Sequence, residues 1–272
     1  MRLVRQILTA PLKLVLFVCA FFPGVNQLTL IGMVWQIGRE PEYAWRYIGL
    51  TGTKKGIEAA REAADVIFKE CPTDQVAGIM GVMEYRENNL DRAKDWLEKG
   101  NRCPQKNPES LLWLELNLAD LQDKYNTQAL ITKILSRNDL SMNCSRMALA
   151  TQAELFLRAR KWNDADMILE RVFQIEEVPW LRWMKWTIAK ARGNEAEAEK
   201  QLRLAKTKGY KGVGNINLAL GWYYLGDIEK TRQNLAKAQQ DGLTKQRITQ
   251  INPELGAIFE MNNLGRKAEE AN

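Results

Sequence analysis

The segment Pro179-Trp180-Leu181-Arg182-Trp183-Met184-Lys185-Trp186 gathers the side chains best suited to holding a ligand. Tryptophan and arginine are favoured anchors at binding surfaces. Three tryptophans at i, i+3 and i+6 cover one broad face of a helix, and the cations between them suit a carboxylate-bearing peptide. The competing use of such rings is packing between helices, above all for Trp186. Bond-making chemistry has far less to draw on. The 272 residues include no histidine, which removes the usual base near neutral pH, the usual zinc ligand and every Ser-His or Cys-His nucleophile pair. No phosphate-cradling glycine loop or dinucleotide fingerprint occurs. Carboxylate and lysine chemistry alone remain, so the expectation is a non-enzymatic protein without metal or cofactor.

Charge separates one end of the chain from the rest. The net charge is +6. Residues 1–55 hold seven basic side chains against two acidic ones, while the remainder holds 32 against 31. A nucleic-acid binder is expected to carry its basic excess on the folded body, so no nucleic-acid partner is expected. Anionic lipid headgroups are the simpler partner.

The basic end is also the apolar one. Arg2, Arg5 and Lys13 recur with Gln6 and Thr9 at helical spacing opposite Leu3, Val4, Ile7, Leu8 and Leu12, the pattern of a helix lying at a membrane surface. Leu14 to Gly38 then runs for 25 residues without a charge. A span needs about 20 residues to cross roughly 30 Å of hydrocarbon, so this stretch is long enough. Pro23-Gly24 is a strong turn signal in its middle. It leaves one arm carrying Leu14, Leu16, Phe17, Phe21 and Phe22 and another carrying Leu28, Ile31 and Trp35. Lysine and arginine flank both ends almost equally, as expected if both ends lie on the cytoplasmic face. The readings are a re-entrant hairpin or monotopic insertion, a single span, and a cleaved or lipidated leader. The last is disfavoured by the short apolar core before Val18-Cys19-Ala20. The first two make residues 1–40 a membrane anchor. The repeat body then lies on the cytoplasmic side of a plasma (inner) membrane or, for a single span, outside the cytoplasm.

The rest of the chain repeats. Polar turns followed by an alanine-marked helix recur, with small residues at 60, 93, 129, 165, 198 and 231, at intervals of 33, 36, 36, 33 and 33. Self-similarity at such a period marks stacked helical units, none of which can bury its apolar stripe alone. Leu97, Ile134, Leu135, Leu169, Val172 and Leu202 are the expected spine. Cys71-Pro72 and Cys103-Pro104 read as one place in two successive repeats, too far apart for a disulfide, so free thiols are expected.

This pattern resembles the tetratricopeptide repeat family. Gly81 and Ala93 match its small residues where two helices pack closely, Trp113 and Leu116 match its first helix, and Ala198, Leu202, Ala205, Leu235 and Ala238 match its second. Lys133 stands at a place usually aromatic, and Thr231 replaces an alanine. The resemblance implies an all-α solenoid of antiparallel helix pairs, with about six repeats over 41–245. Ile251 to Leu264 reads as a capping helix within 246–272, before a polar tail. By the family's register the partner-facing positions include Tyr85, Arg86, Leu114, Leu118, Leu121, Glu154, Arg158, Trp180, Trp183, Lys190, Tyr223 and Tyr224. The expected function is a membrane-anchored scaffold that holds a protein or peptide on its concave face, as a subunit of a larger membrane-associated assembly. The alternatives are a self-assembling membrane-shaping protein and an envelope peptide chaperone anchored by a single span.

Overall fold

The computed structural model of the chain describes residues 9–10, 13, 27–38, 41–104, 108–122, 124–206 and 212–260. Among them every regular element is helical and there is no strand, so the fold class is all-α. The chain divides into two compact units, Met1–Leu118 and Ala119–Asn272.

The first unit holds α1 (Gln27–Gly38), α2 (Pro41–Lys55), α3 (Ile57–Glu70), α4 (Asp74–Arg86), α5 (Leu90–Asn101) and the first part of α6 (Glu109–Gln122). The second holds α7 (Lys124–Leu135), α8 (Met142–Arg158), α9 (Trp162–Ile175), a 3-10 turn at Pro179–Leu181, α10 (Arg182–Ala191), α11 (Glu195–Leu204), α12 (Asn215–Leu225), α13 (Ile228–Gln240) and α14 (Lys245–Ile251), then a helical stretch over 253–260. The closest packing is between chain neighbours: α2 with α3, α4 with α5, α8 with α9, α10 with α11, and α12 with α13.

The same turn builds four of these pairs. Asn88, Arg160, Gly193 and Gly226 all take left-handed backbone conformations two residues before the second helix begins. The N–H groups of the next residues, Asn89, Lys161, Asn194 and Asp227, reach back five residues to the carbonyls of Glu84, Phe156, Ala189 and Trp222 at 2.8–3.0 Å. This is a Schellman closure, which satisfies the orphaned carbonyls at the end of the first helix. At the last two turns the residue after the left-handed one also caps the new helix. The side chains of Asn194 and Asp227 accept from the N–H groups of Glu197 and Lys230.

The turn sets the register of the second helix. The fourth residue of each second helix is small and at most 1% exposed: Ala60, Ala93, Thr127, Ala165, Ala198 and Thr231. Four residues on come Ala64, Leu97, Ile131, Leu169, Leu202 and Leu235, one turn along the same face. Here one expectation is corrected. The sequence spacing places Ala129 in the series and Lys133 in the core. Because α7 starts at Lys124, both places shift by two residues. Thr127 and Ile131 are fully buried, while Ala129 and Lys133 face solvent. The intervals become 33, 34, 38, 33 and 33.

The final helix is corrected too. It does not begin at Ile251. α14 ends there, Asn252 interrupts the helix with an extended backbone, and the Asn252 side chain caps the next turn by accepting from the N–H groups of Glu254 and Leu255. Ile248, Leu255, Ile258 and Phe259 close the core of the second unit. Cys71, Cys103 and Cys144 are not disulfide-bonded.

Of the anchor residues, Arg2, Arg5, Leu14, Leu16, Phe17, Phe21, Phe22, Pro23 and Gly24 lie outside the described residues. Among the described ones no helix is long and apolar enough to cross a membrane. α1, the second arm of the expected hairpin, packs on α2. Its Ile31, Val34 and Trp35 are buried, Leu28 is half-buried, and Tyr47 presses against Gly32. Trp35 joins Ala44, Ile48, Ala64 and Ile67 in the core of the first unit, which gives that ring a protein rather than a lipid environment. The outward face of α1 still shows Met33 and Ile37. Lys13 places its ammonium 5.6 Å from the Tyr43 ring.

The shifted register has a direct test. Thr127→Leu forces extra volume into a closed contact and is expected to cost about 1–3 kcal/mol, whereas Ala129→Leu lies in the open and is expected within about 0.5 kcal/mol of the parent. Denaturant unfolding of the two variants measures both, and equal effects would contradict the register.

Candidate functional site

The partner-facing positions of the second unit meet where α8, α10 and α12 come together. α8 ends with Glu154 and Arg158 one turn apart, and α12 ends with Tyr223-Tyr224 just before the Gly226 turn. The Arg158 guanidinium donates through Nε to the Tyr224 hydroxyl at 3.1 Å and through Nη2 to Glu154 Oε1 at 3.0 Å. The Tyr224 hydroxyl donates to the same Glu154 oxygen at 2.9 Å. The Trp183 ring from α10 lies 6.3 Å from the Tyr224 ring. The Tyr223 ring lies 5.8 Å from that of Tyr224, and its hydroxyl donates to Glu254, beyond α14.

Burial decides how these groups can act. Tyr224 and Trp183 are at most 4% exposed and belong to the core of the unit. Burial, then the nearby Glu154 carboxylate, pushes the Tyr224 phenol well above its ordinary range. Burial and the Glu254 hydrogen bond push Tyr223 up to about 12. Both phenols are therefore neutral at physiological pH and act as hydrogen-bond donors. The Glu154–Arg158 pair remains partly open, with side-chain exposures of 24% and 15%.

The tryptophan-rich segment does not form one helical face. Pro179–Leu181 is a 3-10 turn, and α10 starts only at Arg182. Trp180 is thereby turned outward at 37% exposure, while Trp183 and Trp186 are buried. Trp183 is thus removed from the set of surface anchors, and so is Tyr224. The cations between the rings are also taken. Arg182 makes a two-pronged bond to Glu177 at 2.9 and 2.7 Å, donates to Gln201 at 2.8 Å and lies over the Phe173 ring at 4.2 Å. Lys185 pairs with Asp166 and Glu170. Burial works to raise the Asp166 carboxyl, but hydrogen bonds from Lys185 and Arg192 outweigh it, and the group titrates below its ordinary range. Lys190 pairs with Glu195 and lies 5.4 Å from the Trp222 ring, so it does not join the Arg158 cluster.

The place of Trp186 in the repeat explains why this segment stands out. It precedes Ala198 by twelve residues, the interval that separates Gly81 from Ala93 and Ala153 from Ala165. A tryptophan thus occupies a small-residue place. Gly221 makes room for it: a Cβ there would fall 2.6 Å from the Trp186 ring and 2.5 Å from the Thr187 hydroxyl oxygen. The Trp186 ring then meets Trp222 edge to face at 5.1 Å.

In the first unit, Tyr85 meets the Trp113 ring edge to face at 5.8 Å and the Arg86 guanidinium lies 5.9 Å over the same ring. Leu114 and Leu118 are buried core, and Leu121 lies outside the residues whose side chains are described. Arg86 also lines a cleft of about 640 Å³ between α2 and α4 that sequence reasoning does not reveal. Its members, such as Trp45 and Ile79, lie 34 residues apart in sequence, and no local pattern joins them. Among the described residues no group of three or more histidine, cysteine, aspartate or glutamate side chains is placed to hold a metal ion.

An all-helical protein built of paired helices is the class these residues define. No protein-family model matches the chain, and no curated protein or solved structure matches it either.

Two outcomes are expected of this region. Gly221→Ala should destabilise by about 1–3 kcal/mol although alanine is the better helix former, because it wedges α12 off Trp186; thermal unfolding reads this. In an alkaline absorbance titration, Tyr223 and Tyr224 should ionise above the ordinary range of a phenol. Their protons are held longer in the folded chain, so the stability they contribute is full below about pH 10 and falls as pH rises past it. Tyr223→Phe should remove one late-titrating group and leave the other.

Proposed function

We propose that the chain is a non-enzymatic scaffold: a tetratricopeptide-like solenoid of antiparallel helix pairs, held at a membrane by its N-terminal apolar segment, that binds a protein or peptide partner. The single observation that carries the repeat reading is the recurrence of one turn and one buried small residue at a fixed offset behind it. Asn88, Arg160, Gly193 and Gly226 each stand five residues before Ala93, Ala165, Ala198 and Thr231. Chance has no reason to return both features together, and repeat proteins of this kind use their surfaces for binding rather than catalysis. The absence of histidine supports the same side.

In this reading the second unit offers Trp180, Tyr223 and the Glu154–Arg158 rim to a partner, and the first unit, taken by itself, offers Tyr85 with Arg86. Trp183 and Tyr224 support that surface from below. The exposed Trp180 supplies an aromatic anchor, and the half-open Glu154–Arg158 pair supplies charge. The membrane part of the reading is supported by the uncharged stretch from Leu14 to Gly38 and by the basic excess around it.

Photo-crosslinking in cells tests the reading. A photoreactive amino acid at Trp180 or Tyr223 of the full-length chain is expected to capture a common protein, and Arg158→Glu is expected to weaken that capture. The same probe at Met167, which is exposed on α9, should capture nothing in common with them. Equal capture from all three places would remove the binding surface. Release of the full-length protein from membranes by alkaline carbonate would remove the anchor.

A further inference from the structure

The cleft of the first unit has apolar walls and a basic rim. Leu50 and Ile57, from α2 and α3, face Ile79 and Met83 of α4 across it, with Ile31 of α1 at one edge. Arg46 and Arg86, both exposed, stand at the rim with Glu87. Trp45 forms part of the wall. Its indole Nε1–H is buried and has no hydrogen-bond partner, and a buried donor in that state carries an uncompensated desolvation cost that a ligand oxygen would relieve. The Arg46 guanidinium lies 5.5 Å from the centre of the Trp45 ring, which brings a cation to the same wall of the cleft. Arg46 also lies 6.0 Å from the Tyr43 ring, and Lys13 lies 5.6 Å from it. Cations and amphipathic rings thus gather beside the cleft, as they do at membrane interfaces.

The interior chooses between kinds of ligand. A peptide brings one backbone donor and one acceptor per residue, all needing partners. Leu50, Ile57, Ile79 and Met83 supply none through their side chains, and the Thr53 hydroxyl already donates to the Gly49 carbonyl at 2.9 Å. A hydrocarbon chain needs no such partners. About 640 Å³ lies within the range of about 300–1,000 Å³ usual for small-molecule sites, which are likewise apolar with a few placed polar groups.

We propose that this cleft takes one acyl chain of an anionic phospholipid. The phosphate lies at Arg46, Arg86 and the Trp45 indole N–H, and the chain runs over Leu50, Ile79 and Met83. The excess of two arginines over one glutamate at the rim gives the charge complementarity. The inference rests on the membrane-associated part of the proposed function and adds a specific lipid contact on the folded unit.

The test uses the full-length protein in phosphatidylcholine bilayers doped with phosphatidylglycerol that carries a diazirine on one acyl chain. Labelled peptides are mapped by mass spectrometry. Label is expected on residues 45–57 and 79–86, and a phosphatidylcholine diazirine probe should label them far less. Arg46→Gln with Arg86→Gln should lower that label at least about tenfold, the effect of losing the charge-assisted contacts at the rim. Gly49→Leu should abolish it. A Cβ at Gly49 meets nothing closer than Ile79 at 3.8 Å, so the larger side chain fills the cleft without breaking the helix. The arginine variants keep the test sound if that one misfolds. Label confined to residues 14–38, or unmoved by any variant, overturns the proposal. So does competition by free glycerol 3-phosphate as effective as that by the lipid, or protection of the cleft by a peptide or a second copy of the chain. These failures leave retention in alkaline carbonate and capture at Trp180 untouched, so they are distinct from failure of the scaffold reading.

Discussion

Everything in this fold depends on how closely the second helix of a pair can approach the first. The Schellman turn brings the chain back, and the fourth residue of the new helix arrives against the preceding one. At that place there is room for a methyl group or a threonine and little else. Gly81 is confined as well: a Cβ there would only touch the Ala93 carbonyl, at 3.5 Å, but would strike the Leu114 side chain at 2.2 Å. Helices that meet at small residues bury their apolar stripes together, which neither helix can do alone. Two turn residues, Asn88 and Arg160, accept a left-handed conformation without being glycine. Their recurrence at the same offset as Gly193 and Gly226 shows that closing the turn outweighs the local strain.

Close packing also admits charge where partners are complete. Glu84 of α4 is 1% exposed, yet both its oxygens are met by Arg61 of α3 at 2.7 Å, and Asn89 adds a further bond at 3.0 Å. Its carboxylate holds the Arg61 guanidinium charged more firmly still. Removing Arg61 alone would strand a buried charge, which costs more than the pair contributes as a whole. Arg182 with Glu177, and Lys185 with Asp166, follow the same rule in the second unit. Cations that sit between tryptophans in the sequence are employed in holding helices together.

The candidate binding surface is what such packing leaves over. Rings that fill space lose their freedom to bind, and Trp183, Trp186 and Tyr224 are committed in this way. The accessible remainder is smaller and more specific: one tryptophan on a 3-10 turn, a half-open Glu154–Arg158 pair, and a tyrosine turned toward Glu254. In the first unit the balance differs. There the helices leave a cleft with apolar walls and a basic rim, and one indole N–H without an acceptor.

The linear chain already carries the all-helical class, the approximate repeat, the lack of histidine chemistry and the concentration of positive charge at the apolar end. Each of these is local or compositional: propensity, a period near 34 residues and a count of charges need no knowledge of which helix packs on which. The packed helices alone settle which residue enters each contact. Ala129 and Thr127 are both small and two places apart, and the start of α7 chooses between them; Lys133 then ceases to be an anomaly, because Ile131 holds its place. Trp180 and Trp183 are equally plausible anchors in one dimension, and the 3-10 turn at Pro179 separates them into surface and core. Trp186 at a small-residue position reads as a functional signal in one dimension, whereas in three it is a core ring matched by Gly221, 35 residues away. The cleft at Trp45 and the burial of Trp35 depend on helices distant in sequence. Side-chain burial is a property of pairs of elements, and a linear pattern carries only one member of each pair.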